Sequence, residues 1–487
     1  MSRTKSLAQR TVASISWNFV ANLVQTGVSF VRSVLLARLL PVETFGVYAW
    51  ASSVVTLSAV IPDFGFVDAF VHRAPETEDE EQAAAVHFTL QLVFTLTWAA
   101  VLIGGALIWA SGQTRLALVL LAATAAGVQL TRTPRLILAR RVVHRRLALV
   151  NLVDALVSAI VAVGLAWRGV TLWSLLATNL ITLVVSVVLL YVWRPVWRPR
   201  LLWRPPVMRY FLQFGSKSVL ATALSRALDR VDDLWVGAYL GEVSMGFYSK
   251  AYSFATYPRK ILAAPVYKVA GGTYAELKGD RKRLSQAFFR VNAFLLRSGF
   301  FLAGLLSLVA PEFIRLLLSA KWLPMLGIFR LMLVYTLFDP IKLTVANLFV
   351  AVGKPEQVVW AGAVQLAVLV AGLFAFGPFL GTVGVALAVD LMLVVGIAIL
   401  LWQARSYVDF AVWRLLAVPG LALAVGMLLA SGASTLSGVA GIDWRTGLAK
   451  ILVFSVAYGL CLFALEHRQV MEALSALSKL MSRETGR

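Results

Sequence analysis

From Ala361 to Leu401 the chain has one charged side chain, Asp390, among residues that are otherwise apolar, small or neutral. A membrane-spanning helix needs about 20 mostly apolar residues, so this run is long enough for two. Comparable runs recur along the chain, and about fourteen of them reach spanning length. Short connections join them, and none leaves room for an independent soluble domain. Composition agrees: 60% of residues are hydrophobic and 14% charged, where soluble domains average about 25% charged. In lipid every backbone polar group must be bonded within its own segment or a closed barrel, so these runs imply an all-α integral membrane protein built from antiparallel hairpins. Cys461 is the sole cysteine. An intrachain disulfide and a multi-cysteine metal site are thereby excluded, and no metal or cofactor is expected. The basic start, MSRTKSLAQR, is followed by Asn18, Asn22 and Gln25 rather than a small-residue cleavage site. The first helix is therefore expected to be retained.

The formal net charge is +21, a balance that can signal nucleic acid. Topology explains it instead. Loops on the N-terminal side of the expected membrane hold several times more Lys and Arg than the opposite loops, the densest being RTPRLILARRVVHRR. The positive-inside rule then places that side, and both termini, in the cytoplasm of a multi-pass inner (plasma) membrane protein. No nucleic-acid partner is expected. The acidic run Glu76–Glu81 is read as a solvated loop.

One cytoplasmic connection is unusual. YVWRPVWRPRLLWRPP, Tyr191–Pro206, repeats Trp-Arg-Pro three times. Tryptophan favours the headgroup region, arginine meets lipid phosphate, and proline stops helix continuation. An interfacial linker is expected here.

The linker also separates two related stretches. FVRSVLLARLLPVETFGVYAWASS and RVDDLWVGAYLGEVSMGFYSKAYS match at a constant offset of 200, pairing Leu40 with Leu240, Gly46 with Gly246, Tyr48 with Tyr248 and Ser53 with Ser253. Helix one thus corresponds to helix seven, and a parallel repeat follows. The expected organisation is two pseudo-symmetric six-helix lobes, 1–192 and 208–403, joined by the linker 193–207. Two further helices would occupy 404–466, and an amphipathic tail, 467–487, would lie on the inner leaflet through Val470, Leu474, Leu477 and Met481.

Both lobes open with a polar stripe. Asn18, Asn22, Gln25, Ser29 and Arg32 recur at helical spacing, and their offset partners are Ser218, Thr222, Ser225, Asp229 and Asp232. In hydrocarbon such groups face partner helices or water. Either interhelical hydrogen bonding or a shared aqueous cavity would account for them. Helix seven adds Arg226, Arg230 and Asp233; Arg226 with Asp229 and Arg230 with Asp233 stand at i,i+3 and can neutralise each other. Further mid-span cations are Arg290, Arg297, Arg330, Lys342 and Lys217, with Lys217 and Arg330 able to snorkel. Cations outnumber acids, which suits an anionic, phosphate-bearing cargo. Asp63, Asp154, Asp339 and Asp390 are candidate proton or sodium sites. Pro258, Pro265 and Pro340 can kink their helices.

The phrases LARLLPVETFGVYAWASS, DFGFVDAFVHR, LARRVVHRRLALVNLVDALVSAIVAV and LDRVDDLWVGAYLGEVSMGFYSKAY resemble the polysaccharide transporter branch of the MOP flippase superfamily. That branch holds Wzx-type oligosaccharide flippases and is related to MurJ and the MATE exporters. The resemblance implies a fourteen-helix transporter rather than an enzyme. Its cargo would be polyprenyl-diphosphate-linked oligosaccharide, an O-antigen, capsule or exopolysaccharide unit, moved from the inner to the outer leaflet by alternating access. The family's cavity cations would correspond to Arg32, Arg226, Arg230 and Arg297, with Asn18, Asn22 and Gln25 beside them. Coupling acids would be sought among Asp229, Asp232, Asp233, Asp339 and Asp390. Partners implied are the lipid-linked glycan, membrane lipids, H+ or Na+, and polymerase or assembly proteins. Two alternatives stand beside it: a MATE-like cation-coupled exporter of small molecules, against which fourteen helices and a cationic cavity count, and a non-transporting scaffold of a glycan assembly complex, which the residues leave open.

Overall fold

The computed structural model describes residues 7–73, 80–141, 143–436 and 442–485. The side chains of Asn18, of Glu76–Asp79 and of the tail stripe from Val470 to Met481 lie outside the described residues. Among those described, the regular structure is entirely helical. In chain order it comprises α1 (Leu7–Leu39), α2 (Val42–Ser58), α3 (Val60–Asp63), α4 (Phe66–His72), α5 (Glu80–Trp109), α6 (Gly112–Leu130), α7 (Arg132–Arg140), α8 (His144–Trp167) and α9 (Thr171–Val187). There follow α10 (Pro205–Tyr239), α11 (Gly241–Ala255), α12 (Ala264–Leu277), α13 (Arg281–Leu308), α14 (Ala310–Phe313), α15 (Leu326–Ala351), α16 (Glu356–Ala404), α17 (Val412–Leu436) and α18 (Trp444–Thr485).

Ten helices among the described residues are long and apolar enough to cross a membrane. One of these, α16, is two helices in series. Gly381 sits at φ 57 and ψ −137 inside it, a conformation open to glycine alone, and it separates the two spans expected on either side of it. The long helices outside the ten, α1 and α10, are those with polar stripes. The run 245–266, expected as one span, is divided, as α11 and α12 are joined through a π-helical turn at Arg259–Ala263 that begins directly after Pro258. Pro265 lies in the first turn of α12, where a missing N–H costs nothing, whereas α15 continues through Pro340. The count of about fourteen is thus approximate, and the polarity of α1 and α10 is part of what obscures it.

The chain forms two compact units. The first comprises residues 1–250 and 369–385; the second comprises 251–368 and 386–487. In the first, α2, α5 and α6 bury Val47, Ala51, Val55, Trp98 and Leu121 together, and Phe66, Phe70, Phe88 and Phe211 form another cluster. Trp197 belongs to that second cluster. It meets Phe88 edge-on at 5.6 Å, the backbone N–H of Leu202 donates to Thr89 Oγ1 at 3.0 Å, and Arg146 donates to the carbonyls of Leu189 and Arg194. The expected interfacial linker is therefore corrected in part: Trp193 and Trp203 are exposed, but Trp197 is a core residue. The apolar groups around its indole offer more contact than a headgroup layer would.

The α1–α2 hairpin and the α10–α11 hairpin as far as Lys250 lie in the first unit. A Cβ on Gly46 would collide with the carbonyl oxygen of Glu242, and one on Gly246 would collide with that of Val42. Val42 and Glu242 are themselves 200 apart, so the contact is reciprocal. Small residues admit such backbone approach between membrane helices, where packing rather than hydrophobicity drives association. In the second unit Gly304 of α13 and Gly426 of α17 both abut Phe454 of α18, which is fully buried.

Candidate functional site in the first unit

The short helix α3 ends at Asp63, and the chain then turns through Phe64 (φ 29) and Gly65 (φ 69). A Cβ on Gly215 of α10 would strike the Phe64 carbonyl, so two glycines let this turn lie on α10. Asp63 is 5% exposed. It accepts two guanidinium groups, Arg132 at the start of α7 and Arg226 of α10. Arg226 also donates to the Thr56 carbonyl at 3.1 Å. Two cations on one anion leave this cluster net positive. A mid-span arginine costs roughly 2.5–3.5 kcal/mol on insertion scales, and the shared carboxylate offsets part of that.

One turn further along α10, Arg230 pairs with Asp233 at 3.0 Å. Asp233 also accepts the Ser53 hydroxyl of α2 at 2.8 Å. Asp232 accepts the Tyr248 hydroxyl of α11 at 2.5 Å. Lys250, a cation at the end of the repeat phrase, donates to Ser33 of α1 at 3.2 Å and stands 3.9 Å over the Phe45 ring. Arg32 of α1 donates to Ser158 of α8 at 2.8 Å, while Asn22 is exposed and Gln25 half-buried. Asp229 has electrostatic company on the same helix. Arg226 is thus brought to Asp63, Arg230 pairs with Asp233 within α10, Asp232 is bonded to α11, and Arg32 lies on a separate helix pair.

The second unit holds the remaining candidates. Arg297 of α13 is forked to Glu466 of α18 by two hydrogen bonds of 2.6 Å, and the Tyr458 hydroxyl donates to the Arg297 carbonyl at 2.8 Å. Asp339 of α15 is 2% exposed and binds Arg259 at 2.5 Å, a guanidinium that also lies 5.6 Å from the Tyr335 ring centroid. Lys450 pairs with Glu312 at 2.6 Å. Asp390 is 9% exposed, and one of its carboxylate oxygens has no hydrogen-bond partner. Among the described residues no cluster of three or more His, Cys, Asp or Glu side chains could hold a metal ion.

A family model described as polysaccharide biosynthesis protein matches residues 35–327, which is more than half of the chain. The chain belongs to the polysaccharide biosynthesis protein family. Two known proteins are similar to it along much of their length. The succinoglycan biosynthesis transport protein ExoT of Rhizobium meliloti (strain 1021) is 27% identical over 345 residues, 66% of each chain. The lipopolysaccharide biosynthesis protein WzxC of Escherichia coli (strain K12) is 20% identical over 390 residues, 78% of each chain. Among solved structures, the lipid II flippase MurJ in an inward closed conformation superposes with a TM-score of 0.74 at 14% identity, covering 94% of this chain and all of that one. An inward-facing MATE transporter of the MOP superfamily gives 0.62 at 16% identity, covering 80% and 98%. The fold of this family member is therefore the one these MurJ and MATE structures share, and its long apolar helices make it a multi-pass membrane protein.

Sequence reasoning missed several residues of the site in this family member. In the sequence Arg132 reads only as loop charge, and Lys250 and Tyr248 only as part of the repeat. Arg259 and Glu466 give no signal beyond being ionisable near a span. The repeat holds the usable clue for Lys250, because its offset partner Trp50 also reaches across, donating to the Leu234 carbonyl of α10 at 3.3 Å.

Proposed function

We propose that this protein moves a polyprenyl-diphosphate-linked oligosaccharide from the inner to the outer leaflet of the plasma membrane by alternating access, with both termini in the cytoplasm. Membership of a polysaccharide-biosynthesis family supports a glycan cargo, and the flippase fold supports a lipid-linked one. The observation that carries the reading is the sharing of Asp63 by Arg132 and Arg226. Two guanidinium groups converging on one carboxylate present the donor fork that also suits a diphosphate. In this mechanism Asp63 holds the two arginines ready and apart. An arriving diphosphate takes over their donors, so the cations exchange one anion for another and are not left bare in the membrane. Arg230, and Arg32 across the stripe, would add positive potential, and Asp229, Asp232 or Asp233 would take a coupling H+ or Na+. Arg297, held by Glu466, would act by fixing α18.

The test is delivery of lipid-linked glycan to the outer leaflet in cells that depend on this protein. Arg226→Lys and Arg132→Lys keep charge but lose the planar fork. At equal membrane abundance each should lower delivery by about tenfold or more, the loss of one charge-assisted contact. Normal delivery by both variants would sink the diphosphate role. Export of small organic cations with no glycan delivery by the unaltered protein would favour a MATE-like exporter instead.

A further inference from the structure

The first residues of α13 and the loop leading into α17 enclose a pocket of about 660 Å³ in the second unit. Its frame is tied together. Arg281 is forked to Asp409 at 2.8 and 3.0 Å and donates to the carbonyls of Arg405 and Ser406. The Ser285 hydroxyl accepts the Asp409 N–H at 2.8 Å and donates to the Arg281 carbonyl at 2.6 Å. The Phe410 ring packs on Phe288 at 5.1 Å. Arg281 and Asp409 neutralise each other. Lys282, Arg290 and Arg414 also line the pocket, and among the described residues no carboxylate pairs with them.

We infer that this pocket is a binding site for the phosphate of an anionic phospholipid headgroup. Three observations favour a lipid. Among the described residues these three cations are uncompensated, so a phosphodiester would relieve their mutual repulsion with charge-assisted bonds. The pocket stands where two spans begin, at Arg281 and Val412, which is the depth of headgroups. Its lining mixes these cations with Phe289, Phe410 and Ala411, so an acyl-glycerol backbone has apolar surface beside the phosphate. Trp413, 77% exposed at the same end of α17, suits the interface. The site is separate from the Asp63 cluster, which lies in the other unit. The lipid here would be a resident ligand rather than cargo.

The test uses the full-length purified protein. Retention of phosphatidylglycerol, with phosphatidylcholine as the neutral comparison, is read by native mass spectrometry from detergent. Wild type should retain phosphatidylglycerol in preference. Arg290→Gln combined with Arg414→Gln should weaken that retention by about tenfold, and Arg290→Lys with Arg414→Lys should restore most of it. Lys282→Gln alone, on the exposed first turn, should weaken it in the same direction without threatening the fold. Removing two exposed cations elsewhere, Arg168→Gln with Arg209→Gln, should change nothing. Unchanged retention by the Lys282 and double variants overturns the site. Displacement of the lipid by equal concentrations of inorganic phosphate overturns the assignment to a lipid and gives the pocket to a soluble anion.

Discussion

Asp63 and Arg226 are ion-paired across two helices that are far apart in sequence, α3 and α10, although Arg226 has Asp229 three residues away on its own helix. Breaking a buried pair by removing one partner costs about 3–5 kcal/mol, because a charge is left uncompensated. Asp63→Asn should therefore lower thermal stability in detergent markedly, and Arg226→Gln somewhat less, since Arg132 remains for Asp63. The double variant should be more stable than the sum of the two losses by at least about 1 kcal/mol. Simple additivity in that cycle would mean the pair contributes nothing to the fold.

The reciprocal glycines predict a steric result. Gly46→Ala and Gly246→Ala each place a methyl group inside the distance of a backbone carbonyl. Each should destabilise by about 1–3 kcal/mol, as overpacking does. Gly27→Ala, with open space around its Cβ, is the comparison and should be neutral or slightly stabilising. Equal thermal midpoints for all three variants would show that the hairpins separate freely at this point.

Arg297 and Glu466 predict how α18 is held. Lysine cannot reproduce the two-bond fork, so Arg297→Lys should loosen the helix around its bend at Glu466. Limited proteolysis should cut beyond Glu466 faster in Arg297→Lys and in Glu466→Gln than in wild type. An unchanged cleavage pattern in both would rule out the latch.

The link between Arg281 and Asp409 predicts a pH effect. The guanidinium beside Asp409 holds its carboxyl below the ordinary carboxylate value. A depressed folded-state pKa stabilises above the unfolded value, and that contribution is lost as pH falls through the folded one. The link should therefore be intact at neutral pH and open only in acid below the ordinary carboxylate range. Hydrogen exchange of the 405–411 loop should accelerate in that acid range in wild type, and be fast and independent of pH in Asp409→Asn once intrinsic exchange is allowed for.

The orientation predicts labelling. Arg198→Cys in the linker should react with an impermeant thiol reagent only after permeabilisation, and Ser111→Cys between α5 and α6 should react in intact cells. Both variants belong in a Cys461→Ser background. The opposite pattern would invert the topology.

The apolar runs were legible because lipid imposes one rule on every segment. The paired spans around Gly381 and the pairing of Arg230 with Asp233 were legible for a related reason, since both are local. What the sequence hid was tertiary choice. Arg226 has a carboxylate one turn away, yet a second helix brings Asp63, and no spacing in α10 encodes α3. Trp197 sits in a motif typical of the headgroup layer, and its burial depends on Phe88, more than a hundred residues upstream. Arg290 and Arg297 share one face of α13, yet one meets an open pocket and the other meets Glu466.

The glycine contact has a consequence for how far either hairpin can change alone. Gly46 lies on the backbone of residue 242, and Gly246 on that of residue 42. The same offset thus relates both the glycines and the carbonyls they admit. A chain made of two copies of its own first hairpin would present Gly46 to the backbone of a second Val42, which is the pairing Gly246 already makes. The joint would fit itself. Any substitution at residue 42, 46, 242 or 246 therefore changes the fit of the other hairpin as well.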